Sequence, residues 1–130
     1  MSELKKIVVA DDSATARMII KKCFEIAGFD GVEYLEAENG REALRLVKKN
    51  EVFLLVTDFN MPIMDGGVLL KWVKGSPAIK HIPVCVITSA GNAARVKEFK
   101  ELGAHSVISK PINPAVISNE LEEFIEACSE

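Results

Sequence analysis

Short apolar runs alternate with amphipathic stretches along the whole chain. Ile7-Val8-Val9-Ala10 is too brief for a helix and closes on Asp11-Asp12, so it predicts a buried strand. Ser13 can cap the helix that follows, with Met18, Ile19, Phe24 and Ile26 as its apolar side and Gly28 as its stop. Val32 to Ala37 reads as a second strand. Asn39-Gly40-Arg41-Glu42 looks like a capping box, opening a helix with Ala43, Leu44 and Val47 inward and ending near Asn50. Phe53 to Asp58 is the third strand, a run of apolar and β-branched residues that stops at a carboxylate, with Pro62 soon forbidding continuation. Asp65 can cap a helix containing Val68, Leu69, Leu70 and Trp72, closed by Gly75. Pro83 to Ile87 forms a fourth strand ending in Thr88-Ser89. A weaker helix from about Ala93 to Leu102 carries a thin stripe of Val96, Phe99 and Leu102 and stops at Gly103. Ser106 to Ser109 is the fifth strand, ending at Lys110-Pro111. Asn113 and Pro114 open a last helix whose apolar set, Ile117, Leu121, Phe124, Ile125 and Cys128, keeps helical spacing.

Five strand–helix alternations with continuous apolar strands predict an α/β fold. The expected architecture is a doubly wound, five-stranded parallel sheet covered on both faces by five helices. Right-handed crossovers then place every strand's C-terminal end on one edge, where open sheets of this class bind ligands. The first strand delivers Asp11 and Asp12 to that edge, the third Asp58, the fourth Thr88 and Ser89, the fifth Lys110. Glu36-Ala37-Glu38, at the end of the second strand, is set aside as helix-capping sequence. A single polar residue at a strand end is an ordinary turn residue. Four apolar strands that each end in a different polar group describe a site.

Three neighbouring carboxylates resist ionisation unless a cation is present. Oxygen ligands without His or Cys point to a hard ion, and Mg²⁺ with retained waters suits an open carboxylate site. An Asp carboxylate beside such an ion can attack phosphorus, with Thr88 as hydroxyl donor and Lys110 as a point charge for phosphoryl oxygens. No His, Cys or second base is placed to make a hydrolase, and no glycine-rich loop is present for a nucleotide.

Composition narrows the classes. At 130 residues the chain is expected to form one domain, and a net charge of −3 with scattered lysines argues against nucleic-acid binding. Cys23, Cys85 and Cys128 are odd in number and lack metal-ligand spacing, which suggests packing roles in a reducing compartment. With neither a signal region nor an apolar run of spanning length, a cytoplasmic protein without membrane insertion is expected.

Four elements together are specific: Asp11-Asp12; Asp58 followed by Asn60-Met61-Pro62-Ile63-Met64-Asp65-Gly66; Thr88-Ser89; and Lys110-Pro111. On these the chain resembles, over its whole length, the receiver domain of two-component response regulators, in particular stand-alone receivers of the chemotaxis type. The resemblance implies a flavodoxin-like strand order 2-1-3-4-5, with Asp58 as phosphoacceptor in a Mg²⁺-dependent reaction. Asp12, Asp58 and the backbone carbonyl of Asn60 would hold the ion directly, Asp11 mainly through bound water. Thr88 and Lys110 would contact the phosphoryl group, and the Lys110-Pro111 bond would be cis. The donor would be a sensor histidine kinase or a phosphotransfer protein, with the receiver catalysing its own phosphorylation and slow dephosphorylation.

No output domain is expected, so a monomeric receiver would signal through a target protein on the face of the fourth helix, fifth strand and fifth helix. A phosphatase is a possible further partner. Asn60 and Ala90 would flank the route of the hydrolytic water. One departure from the family stands out: the position three before the lysine, commonly Tyr or Phe, is Val107. A valine cannot swing a ring between exposed and buried positions, so a phosphate sink or constitutive scaffold is an alternative reading. An aspartate-nucleophile phosphohydrolase fits less well, because Asp11-Asp12-Ser13 lacks the Asp-x-Asp spacing of those enzymes. A flavin-binding domain is disfavoured by the acidic loop after the first strand.

Overall fold

In the computed structural model, which describes residues 4–89 and 93–128, the five apolar runs pair into one parallel sheet. The strands are β1 (Lys6–Ala10), β2 (Glu33–Ala37), β3 (Leu54–Asp58), β4 (Val84–Thr88) and β5 (Ser106–Ser109), in the order β2-β1-β3-β4-β5. Between and after them lie α1 (Ala14–Ala27), α2 (Gly40–Lys49), α3 (Gly66–Gly75), α4 (Ala93–Glu101), α5 (Pro114–Glu120) and α6 (Glu122–Cys128). The expected fold class and strand order are observed.

Successive strand residues point to opposite faces, so each strand feeds two cores. Ile7, Val9, Leu54, Val56, Cys85, Ile87 and Ile108 pack with Ile20 and Phe24 of α1 and Ile117 of α5. Val8, Ala10, Leu55, Val84, Val86 and Val107 pack on the other face with residues of α2, α3 and α4, among them Val47, Leu69 and Phe99. The inner strands β1, β3 and β4 carry consecutive apolar residues because both faces are covered, whereas edge strand β2 keeps Glu33 and Glu36 exposed.

Helix starts follow the expected caps. Ser13, Asn39, Asp65 and Asn113 each accept a hydrogen bond from the backbone amide three residues on. Gly28 ends α1 at φ 129, and the amides of Gly28 and Phe29 return to the last carbonyls of the helix.

Two expectations are corrected. Met18, Ile19 and Ile26 are 60%, 50% and 66% exposed; the buried side of α1 is Arg17, Ile20 and Phe24. A stripe at positions i, i+3 and i+7 does face inward, but its first member is an arginine and hides the pattern. The final helix is two segments rather than one, separated at Leu121, whose φ of −122 and ψ of 23 leave the helical region. Leu121 still donates to Ile117 and accepts from Phe124 and Ile125, so the interruption costs little pairing. No proline or glycine marks it.

Candidate functional site

The site is a consequence of register. Ala10 of β1 lies opposite Thr57 of β3, so the next residues, Asp11 and Asp58, meet at the strand ends. One carboxylate oxygen from each of Asp11, Asp12 and Asp58 lies within 4.8 Å of the others. Asp58 is 6% and Asp11 2% exposed, whereas Asp12 faces solvent. From the far side, Lys110 places Nζ 3.1 Å from Asp58 Oδ1 and 3.7 Å from Asp11 Oδ2. Its amide donates to the Thr88 carbonyl at 2.9 Å, which ties the end of β5 to that of β4. Thr88 is buried, and the Lys110-Pro111 peptide is cis, as the resemblance implies.

Burial is the largest influence on Asp58 and raises its pKa above the ordinary carboxylate value. Asp11 adds to the rise, and Lys110 offsets only part of it. For Lys110, burial acts to lower the pKa, but the carboxylates of Asp58 and Asp11 outweigh it and the net shift is upward. Negative charge is thus in excess in this pocket even with one ammonium inside it.

The residues fit a hard cation. All donors are oxygens, and Asp11 Oδ2 is buried without a hydrogen-bond partner among the described residues. An orphaned buried carboxylate oxygen is costly unless an ion, or water held by an ion, completes it. Asp11 itself is firmly placed. Its amide donates to Ala37, its Oδ1 accepts from the Ser13 amide at 2.9 Å, and its carbonyl accepts from Arg17 Nη1 at 2.7 Å.

Asp11, Asp12, Asp58, Thr88 and Lys110 are therefore brought together. Asn60 is exposed on the segment that follows β3. Val107 is buried on the α4 side of the sheet, so no rotatable ring occupies that position. Ala90 lies outside the described residues. Glu36 does not act as a helix cap: it pairs with Arg17 Nε at 2.8 Å and Lys21 Nζ at 2.9 Å, both on α1.

Sequence reasoning missed Arg17 and assigned no role to Thr57 or Gly66. Thr57 Oγ1 donates to the Asp58 carbonyl, and Gly66 packs against the same carbonyl with its own amide bonded to Phe59. Missed too was the strain at Ile63, a β-branched residue at φ 69 in the loop between β3 and α3. Phe59, next to Asp58, packs against Phe99 of α4 with ring centres 5.2 Å apart and planes tilted by 50°, and the Arg95 guanidinium lies 4.9 Å from the Phe59 ring centre. An open apolar recess of about 420 Å³, lined in part by Ile19, Ile20 and Ile112, reaches Lys110.

Hydrogen bonds from Lys21 and then Arg17 hold the Glu36 carboxyl below its ordinary pKa. A lowered folded pKa contributes stability above the unfolded value and loses it as pH falls through the folded one. Glu36→Gln is therefore expected to be less stable than the wild type at neutral pH, by about 0.5–1 kcal/mol for a pair with one exposed partner. The two proteins converge below the usual carboxylate range. Chemical denaturation at pH 7 and pH 3 measures this, and an equal gap at both would refute it.

The response regulator receiver domain family matches residues 7–122. A chemotaxis protein CheY homologue of Campylobacter jejuni is 40% identical over 121 residues, covering 92% of each chain. The chemotaxis protein CheY1 of Helicobacter pylori is 40% identical over 118 residues, 90% of this chain and 94% of that protein. Among solved structures, the chemotaxis response regulator CheY4 of Vibrio cholerae superposes with a TM-score of 0.80 at 29% identity, covering 94% of this chain and 99% of that one.

Proposed function

The chain belongs to the response regulator receiver domain family, as a CheY-type receiver of two-component signalling, and from that premise we propose that it takes up a phosphoryl group on Asp58. The observation that carries this reading is the Lys110–Asp58 contact at 3.1 Å inside an acidic pocket with an orphaned Asp11 oxygen. Asp11, Asp12, Asp58 and the Asn60 carbonyl would hold Mg²⁺, which when bound supplies positive charge against the phosphoryl oxygens.

Asp58 is the nucleophile. One of its carboxylate oxygens bonds to phosphorus as the donor's phosphorus–nitrogen bond breaks, and the donor imidazole leaves with the electron pair and takes a proton. Lys110, already placed over Asp58, turns its ammonium to a phosphoryl oxygen, and the Thr88 hydroxyl donates to another. A sensor histidine kinase or a phosphotransfer protein is the donor, and the apolar recess beside Lys110 offers it a footing. By the family resemblance Asn60 would flank the route of the hydrolytic water, and a phosphatase would act from that side. No described helix is long and apolar enough to cross a membrane. By the same family reading the receiver acts as a monomer in the cytoplasm.

Incubation with a small-molecule phosphodonor and Mg²⁺ is expected to add one phosphoryl group, mapped by peptide analysis to Asp58 and absent when EDTA is present. A label at another residue, or none, would overturn the reading.

The signal must leave without an aromatic at position 107. Phosphorylation adds roughly 1.5–2 negative charges at Asp58. Charge-assisted hydrogen bonds are worth about 1.5–3 kcal/mol each, whereas inverting a 1:99 population takes about 5.5 kcal/mol. Thr88 and Lys110 alone fall short, because Lys110 is already bonded to Asp58 beforehand. The target protein then completes the switch on the face of α4, β5 and α5. Phe59, Arg95 and Phe99 form the packed connection from Asp58 to that face.

With fluoroberyllate as phosphoryl mimic, amide shifts are expected to reach α4 and β5. In Arg95→Ala they are expected to shrink there while persisting at Asp58. Buried Val107 favours a second reading, a phosphate sink without a switched face. Shifts confined to the pocket in the wild type would select it.

A further inference from the structure

We propose that Arg17 is a positioning residue of the acidic pocket, and that Glu36 holds it in place; this rests on the phosphoacceptor reading above. Arg17 is 8% exposed on the inward side of α1, where an apolar residue would be the simpler choice. Its two arms are committed in different directions. Nη1 donates to the Asp11 main-chain carbonyl at 2.7 Å, and Nε donates to Glu36 Oε1 at 2.8 Å. It reaches the pocket through the backbone of Asp11 and makes no hydrogen bond to a pocket carboxylate.

The grip matters because of what it leaves over. With its amide on Ala37, its carbonyl on Arg17 and its Oδ1 on the Ser13 amide, Asp11 has little freedom to turn. Its remaining oxygen, Oδ2, is held buried without a hydrogen bond, 3.7 Å from the Lys110 ammonium. On the α1 side the Ser13 amide holds the Asp11 side chain, and Arg17 holds its main-chain carbonyl. Glu36 matters in turn because a guanidinium brought this close to a cation site repels the cation. The carboxylate, shared between Arg17 at 2.8 Å and Lys21 at 2.9 Å, offsets part of that charge. Geometry and charge thus pull in opposite directions at Arg17, which makes its role separable by experiment.

The test is titration with Mg²⁺ alone, followed by calorimetry at constant ionic strength, with thermal melts of every variant to confirm folding. Arg17→Met removes both the hydrogen bonds and the charge; Arg17→Lys keeps the charge but replaces the two separated donor nitrogens of the planar guanidinium by one ammonium. If Arg17 positions Asp11, both weaken Mg²⁺ binding, by about 10–100-fold as for other groups that orient metal ligands. Glu36→Gln, on the exposed arm, falls at the lower end of that range. Ile117→Val, a core change away from the pocket, leaves the affinity as it was.

If Arg17 acted by charge alone, Arg17→Met would bind Mg²⁺ more tightly and Arg17→Lys would match the wild type, and the proposal would be wrong. Folded Arg17 variants with unchanged affinity would likewise reduce Arg17 to a structural tie between α1 and β2. Should the Arg17 variants not fold, unchanged affinity in Glu36→Gln overturns the arrangement and weakened affinity supports it. A wild-type protein that binds no Mg²⁺ removes the phosphoacceptor reading and this inference together.

Discussion

Asp58→Asn is expected to lose phosphoryl uptake by at least about 10³-fold, as deletion of a nucleophile generally does, and yet to be the more stable protein in metal-free buffer at neutral pH. The first half follows from chemistry, since an amide oxygen is a poor nucleophile toward phosphorus. The second follows from where the carboxyl sits. Burial and then Asp11 raise the Asp58 pKa, and the net direction is upward with the pull of Lys110 already included. A raised folded pKa means stability that is present below the unfolded value and lost as pH rises through the folded one. At pH 7 the ionised wild type therefore carries a cost that asparagine lacks, and the difference closes on acidification.

Magnesium is expected to reverse the order. A ligand at 100 times its Kd stabilises by about 2.7 kcal/mol, and the asparagine variant, missing one anionic ligand, gains less. Melting curves with and without Mg²⁺ are thus expected to cross. A variant that takes up the label, or that gains as much as the wild type from Mg²⁺, would contradict the assignment of Asp58.

The largest structural effect is expected at Gly66. A Cβ there would overlap the Asp58 carbonyl oxygen and lie 3.0 Å from Phe59 Cα, both backbone atoms at the end of β3. Backbone cannot step aside without moving the phosphoacceptor. Gly66→Ala is expected to cost about 3 kcal/mol, the upper end for overpacking, and to lower Tm on the order of 10 °C. Gly75, at the other end of α3, has nothing within 4 Å of the same atom. Gly75→Ala is expected to be neutral or to stabilise by up to about 1 kcal/mol through the unfolded chain. Calorimetry of the pair separates close packing from helix propensity, since both substitutions add the same methyl group to the same helix. Equal melting temperatures would rule out the close approach at Gly66.

Much of this was legible in one dimension. The run Leu54-Leu55-Val56 is apolar at consecutive positions, as a doubly covered sheet requires, and the observed strand Leu54–Asp58 carries five buried residues. The caps at Ser13, Asn39, Asp65 and Asn113 are local, because each side chain bonds an amide three residues away. The polar strand ends were equally visible. Chain direction in a parallel sheet carries all of them to one edge whatever their spacing in sequence.

What escaped were groups whose partners lie far along the chain. Arg17 interrupts the apolar stripe of α1, and its partners, the Asp11 carbonyl and Glu36 nineteen residues on, explain why it points inward. Its misreading put Met18, Ile19 and Ile26 in the core, where they are not. The interruption at Leu121 likewise has no local signal; a fully buried leucine keeps its contacts while the backbone turns.

The sequence by itself determined the elements, their parallel order in space by resemblance, and the residue types at the sheet edge, because periodicity, capping and strand termination are short-range effects. Tertiary structure alone decided that Asp11 and Asp58 stand side by side, that Lys110 reaches both, and that one Asp11 oxygen is left without a hydrogen bond among the described residues. Those are matters of register between strands and of burial, and register depends on the packing of both faces at once.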